Sequence, residues 1–247
     1  MATLLWSRAS GVLGAAAILA CLVTGCGSSG EDDCIVDTSY DPAIDPAAFV
    51  AAVDNPYSPL TPGAELVYVD GADTIRVAVL ADVKVILGVT CTVVHDRVFE
   101  GGELAEDTYD WFAQDTLGNV WYFGEDTKEM SGGVVVSTEG SWEAGVDGAK
   151  PGIIIPANPV VGQEYRQEYY ACIAEDMGEI LDLDASATVP YGTFVGCLKT
   201  RDFTPLEPEV DENKYYAPGV GLVLTVDVGS GAREELVDVL GRGPAPD

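Results

Sequence analysis

Four carboxylates, Asp110, Glu139, Glu143 and Glu168, fall on segments with strand-like alternation and are interleaved with Trp111, Trp142 and Tyr169. Glycoside hydrolysis needs two such acids about 5–10 Å apart across a sugar ring, and aromatic faces beside them suit sugars. An acidic β-protein shows the same residues on a solvated sheet face, so both readings stay open at this point. Other chemistries have thinner support. His95 is the single histidine, so a Ser/His/Asp machine would have to use it. It alternates with Cys91, Val93 and Arg97, as a surface or satisfied core histidine does. Glu139-Gly140-Ser141-Trp142 lacks the second glycine of a nucleophile elbow. The run from Asp115 to Asn119 lacks EF-hand spacing, and Gly124–Thr127 with Glu129 gathers oxygens only if a loop folds back. No catalytic residue and no metal ligand are assigned, no cofactor is expected, and calcium is the one ion worth testing. Trp111, Trp121, Trp142 and Tyr169 are the candidate ligand-facing side chains. Cross-strand and core packing is their simpler explanation.

These residues sit on elements organised around YDWFAQDTLGNVWYF, residues 109–123. Two aromatic-rich runs flank a short polar break with glycine, which predicts a β-hairpin with a type I turn and a glycine bulge. KYYAPGVGLVL, residues 214–224, is a weaker copy. Strands are expected near 65–69, 74–86, 90–99, 104–114, 120–125, 134–142, 164–173, 187–190, 196–203, 214–217, 222–228 and 233–240, with a loop over 144–163. Asp45-Pro46 followed by an alanine-rich run predicts one short helix that ends at Asn55-Pro56. Two degenerate repeats, roughly 55–127 and 158–226, are suggested by matched features. Gly88, Cys91 and Asp96 are echoed by Gly192, Cys197 and Asp202. Chance likeness among glycine-bounded strands is the alternative. The expected fold is all-β: an antiparallel meander of 8–11 strands in a closed or nearly closed barrel-like sheet, built from those repeats, plus the short N-terminal helix.

The N-terminus carries an address. Residues 1–25 have a short apolar core, and Leu22-Val-Thr-Gly25-Cys26 resembles the bacterial lipobox, which implies cleavage before Cys26 and its lipidation. Ile18-Leu-Ala-Cys21 is a competing site, and an ordinary secretory peptide is the alternative. Residues 26–54 then form a lipidated tether and N-terminal arm, and 55–243 a single β domain. Loss of residues 1–25 removes only Arg8 among the charged residues, leaving 11 basic against 41 acidic and a net charge of about −30. Such a charge repels nucleic acid; adaptation to a salty or acidic setting also explains it. Gly27 rather than aspartate follows Cys26, so an outer-membrane destination is expected if the host has two membranes. Cys34, Cys91, Cys172 and Cys197 remain, an even count that favours two disulfides in an exported protein, with three possible pairings. A pseudo-twofold axis between the repeats would bring Cys91 to Cys197, leaving Cys34 for Cys172.

DTYDWFAQDTLGNVWYFGEDTKE, STEGSWEAGVDGAKPGIIIPANPVVGQEYRQEYY and KYYAPGVGLV resemble a group of bacterial exported proteins and lipoproteins of unknown function. The resemblance implies an exported all-β module and brings no catalytic residues. The expected function is a lipid-anchored envelope module, non-catalytic, that binds a small molecule, a glycan or an envelope protein or serves as structure. An envelope hydrolase acting on carbohydrate through paired carboxylates is the alternative.

Overall fold

The computed structural model describes residues 36–241. Cys26, the cleavage site and Cys34 lie outside the described residues. Alternating apolar and polar residues, broken by glycine turns, form one all-β sheet of sixteen strands. A first antiparallel meander contains β2 (Glu65–Asp70), β3 (Asp73–Ile86), β4 (Val89–Glu100), β5 (Glu103–Asp115) and β6 (Val120–Ser131). A second contains β12 (Met177–Val189), β13 (Gly192–Phe203), β14 (Asp211–Ala217), β15 (Gly221–Asp227) and β16 (Arg233–Leu240). Antiparallel pairing of β16 with β2, from Glu234–Asp70 to Leu240–Glu65, joins the two.

The two outer edges meet at one short segment. There β10 (Glu164–Arg166) pairs with β12. One residue on, β11 (Glu168–Tyr169) pairs with β9 (Lys150–Ile155), which itself lies on β6. Gln167 is the junction, and its backbone N–H donates to the Asp176 carbonyl at 2.8 Å. A Cβ on Gly152 of β9 would come within 2.3 Å of the Gln167 backbone, so only glycine permits this approach. The result is a nearly closed antiparallel barrel whose path runs through thirteen strands rather than 8–11. Three short strands attach to the side: β1 (Phe49–Val50) on β5, and β7 (Val134–Ser137) and β8 (Trp142–Glu143) on β6. The interior is filled by Tyr68, Tyr122, Phe123, Ile180, Leu198 and Leu236, among others.

Residues 36–62 run along the closing seam and on to the β5–β6 turn. The Tyr40 hydroxyl donates to the Pro151 carbonyl at 2.7 Å, and Lys150 Nζ donates back to the Tyr40 carbonyl. The expected helix shrinks to a single 3-10 turn, Pro46–Ala48, capped by Asp45 through the Ala47 N–H at 3.0 Å. Phe49 then turns extended and pairs with Asp115, with its ring edge-on to Trp121 at 6.2 Å and Phe123 at 5.6 Å. Pairing with β5 and aromatic burial outweigh a weak local helix preference. Besides β1, two strands were not expected from the sequence, β9 and the first part of β12. Pro151 and Pro156 mask β9, and register shifts after Ile180, Asp182 and Ala185 break the alternation of β12.

The central hairpin forms as expected. Gly118 donates to the Asp115 carbonyl at 3.0 Å and adopts φ +98°, closing the turn with its glycine bulge. The Asp115 carboxylate accepts from the Leu117 and Asn119 backbone N–H groups, the Asn119 amide and the Trp121 indole, at 2.7–2.9 Å. Every donor is an N–H, so this carboxylate serves the turn rather than a cation.

The Cys91–Cys197 disulfide does not form: both residues are free buried thiols. They occupy matching strands of the two meanders, but five strands separate β4 from β13 in the sheet. Equivalent positions are thereby carried around the barrel rather than brought together, and a disulfide needs Cα atoms within roughly 7 Å. Burial pushes the Cys91 thiol up to about 12 and raises that of Cys197. Cys172 is disulfide-bonded.

Two outcomes follow from this packing. Asp115→Ala leaves four donors unsatisfied and is expected to cost roughly 2–3 kcal/mol, read as a lower urea midpoint with unchanged slope. Cys91 and Cys197 are expected to resist a thiol reagent in the native protein and to react as two thiols in denaturant; rapid native labelling would contradict their burial.

Candidate functional site

The groups with the most perturbed chemistry lie inside the barrel. On β5 the inward positions include Thr108 and Asp110, both without measurable exposure. On β6 a register shift at Phe123-Gly124 resets the alternation, so Tyr122 and Glu125, three residues apart, both turn inward, and the Tyr122 hydroxyl reaches Asp110 and Glu125 alike. Gly124 takes φ +128° there, and a Cβ on it would lie 2.2 Å from the Trp142 carbonyl. Glu168 enters from β11, and Trp142 of β8 packs edge-on against Tyr122 at 5.3 Å.

The Tyr122 hydroxyl lies 2.7 Å from Asp110 Oδ1 and 3.1 Å from Glu125 Oε2. A phenol has one proton to donate, so both contacts are hydrogen bonds only if a carboxyl is protonated and donates back. Burial and charge agree with that. Desolvation pushes Asp110 well above the usual carboxylate range, partly offset by the Tyr122 hydrogen bond and reinforced by Glu106. Glu125 is driven up by burial and by the Asp110 and Glu168 charges, and Glu168 by burial and Asp176. No lysine, arginine or histidine forms an ion pair with these three acids among the described residues.

A second interior cluster contains a cation. Lys214, only 1% exposed, sits 3.1 Å from Asp202 and 3.6 Å from Glu212. Asp202 also accepts from Thr200 at 2.6 Å and from the Gln167 amide at 2.9 Å. Burial pushes Glu212 up to about 8, with Lys214 opposing it. The strand registers put the two clusters on corresponding rungs. Val79–Val94–Asp110–Glu125 crosses the first meander and Ile180–Thr200–Lys214–Thr225 the second.

The remaining candidates are dispersed. Glu139 is exposed on a turn, and Glu143 pairs with Lys84 at 2.7 Å. That lysine lies 3.3 Å from the centre of the buried Trp111 ring. Trp121 serves Asp115, Trp142 faces Tyr122, and Tyr169 is packed by Tyr40 at 5.8 Å and the Arg166 guanidinium at 4.7 Å. Each aromatic is held by its own partners. His95 bonds Asp107 at 2.6 Å and stacks on Tyr109 at 4.2 Å, on the outer side of β4. Glu125 turns inward while Asp126 turns outward to Lys128 at 2.8 Å, so Gly124–Thr127 does not gather oxygens. No group of three or more His, Cys, Asp or Glu is placed to hold a metal among the described residues. On the surface, a cleft of about 430 Å3 opens between the arm and the loop before β9. Its one carboxylate, Asp41, pairs with Lys150 at 3.2 Å. Sequence reasoning singled out Asp110 and Glu168 but not Tyr122 and Lys214. The glycine inside the β6 pattern was the one local hint that the strand bulges there.

No family model matches the chain, and no curated protein matches it in sequence. Among solved structures, the chain is similar to "a putative lipoprotein from Parabacteroides distasonis", at 15% identity and a TM-score of 0.34. That match covers 74% of this chain and 97% of the other. So loose a superposition carries no argument about fold or function.

The Glu212 shift has a stability consequence. A carboxyl whose folded value lies near 8, against an ordinary 4.5, binds its proton more tightly in the folded state. The stability it contributes is complete below about pH 4.5 and is lost as the pH rises through about 8. The melting temperature is therefore expected to fall between pH 5 and pH 9, and Glu212→Gln to narrow that fall. An equal fall in the variant would assign the effect to other groups.

Proposed function

We propose that this protein is a lipid-anchored, extracytoplasmic β module with a non-catalytic binding or structural role in the cell envelope. The observation that carries the non-catalytic reading is the sealing of the perturbed acids. Asp110, Glu125 and Glu168 are at most 2% exposed, whereas the surface cleft holds one ion-paired carboxylate. Acid–base hydrolysis needs two carboxyl groups facing a substrate. The disulfide at Cys172 supports an oxidising compartment, and the lipobox-like approach to Cys26 supports membrane attachment through acylation. With Cys91 and Cys197 reduced, Cys34 is the partner this reading gives to Cys172, stapling the arm to the loop before β12. Gly27 favours the outer membrane in a host that has one. The reading also takes the two meanders as degenerate repeats. Corresponding rungs support it, as do two matching turns: Gly63 donates to Val79 and Gly162 to Ile180, both at 2.8 Å.

Membrane fractionation tests the anchor, and chromogenic glycosides test the chemistry. The intact protein is expected in the membrane fraction, Cys26→Ser in the soluble fraction, and neither is expected to hydrolyse the glycosides. A soluble wild type would sink the anchor. Hydrolysis abolished by Asp110→Asn would restore the enzyme reading.

A further inference from the structure

Glu168 stands on the weakest part of the closure. Strand β11 has two residues, and its pairing partners on β9 are Pro151 and Lys150. Proline has no N–H to donate, so one of two paired positions contributes less to the ladder. The arm packs on both strands, through the Tyr40 hydroxyl on Pro151 of β9 and the Tyr40 ring on Tyr169 of β11 at 5.8 Å, and the Glu168 carboxyl is buried behind them.

Acids from several elements surround it. Asp176, from the loop before β12, and Asp110, from β5, act on Glu168 directly; Glu125 of β6 and Glu106 of β5 act on Asp110 or on each other, with the Tyr122 hydroxyl between Asp110 and Glu125. The buried Lys214 is committed to Asp202 and Glu212. Asp110 Oδ2 is buried without a hydrogen-bond partner, and the donors that face the Glu168 carboxyl are neutral, the indole N–H of Trp142, a side chain 4% exposed, and the Asp176 backbone N–H. The one-proton arithmetic at Tyr122 requires a proton on Asp110 or Glu125 for both of its contacts to be hydrogen bonds.

We propose that Asp110, Glu125 and Glu168 form a proton-operated latch on the seam of the barrel. With protons held among the three carboxyl groups, β11 lies against β6 and β9 and the sheet closes at Gln167. When they ionise, charges on three strands repel one another in a dry interior, and the strand with fewest ladder bonds yields. Opening therefore starts at 164–169 and exposes the interior beside Tyr122 and Trp142. The direction follows from linkage. The closed state holds protons that the open, hydrated state releases, so opening increases as pH rises above the ordinary carboxylate range, by up to about tenfold per pH unit for each proton coupled to it. The inference does not depend on the lipid anchor or on any ligand.

Hydrogen exchange read by mass spectrometry, corrected for the intrinsic pH dependence of exchange, tests it on the full chain. In a Glu212→Gln background, which removes the titration assigned above to the second cluster, peptides spanning 150–170 are expected to lose at least about tenfold in protection between pH 5 and pH 9, while peptides from β13 keep theirs. Glu168→Gln and Glu125→Gln preserve shape without charge and are expected to keep the seam protected at pH 9. The exposed Glu139→Gln is expected to behave as wild type. Unchanged protection of 150–170 would overturn the latch. Loss of protection spread equally over β13, or a pH response retained in both glutamine variants, would also overturn it.

Discussion

A curled antiparallel sheet leaves no backbone edge to water only when its last strand returns to its first, and here six residues, 164–169, make that return. One side of the segment is paired to β12 and the other to β9, with Gln167 between them. Much else follows from this junction. Gly152 must be glycine so that the two backbones can approach, and the arm must lie where Tyr40 and Lys150 lock across β9. Exposed sheet edges template aggregation, and closure at this segment hides them.

Closing thirteen strands encloses more space than aliphatic side chains fill, and the interior contains polar layers as well as a core. The two layers occupy corresponding rungs but solve the desolvation problem differently. In the second meander a buried lysine neutralises Asp202 and lies beside Glu212; Gln167 shares Asp202 Oδ2 with the lysine, and Thr200 donates to Oδ1. In the first meander Asp110 occupies the rung that Lys214 holds in the second, so no cation is present and protons take its place. One substitution of sign on a shared rung separates a cluster that holds an internal cation from one that holds none.

The distribution of the chain's acidity carries the same contrast. Glu65, part-buried in the ladder, accepts from Arg76 at 2.8–2.9 Å, and that hydrogen bond keeps its carboxyl below the usual carboxylate range. Interior acids sit where ionisation is costly. An overall negative charge therefore says little about which carboxylates are chemically unusual. Position relative to the inner face of the sheet decides that.

Local sequence determined the element type and most strand boundaries, because alternation and glycine turns are properties of neighbouring residues. The hairpin around Asp115, with its glycine bulge and aromatic flanks, was legible in full. Strand β12 was not, because its bulges shift the parity on which such reading rests, and the helix over 45–53 yielded to an edge that Phe49 could join only in three dimensions. Cys91 and Cys197 illustrate the limit most clearly. Matched glycines and aspartates suggested that the two correspond, but their separation depends on five intervening strands. The same holds for Asp110, Glu125 and Glu168, which lie on three strands brought together by a bulge at Gly124 and a junction at Gln167. Sequence by itself determined an exported-looking all-β chain. Tertiary structure decided which acids are buried, which cysteines remain reduced and where the sheet closes, because each depends on pairing between residues far apart in the chain.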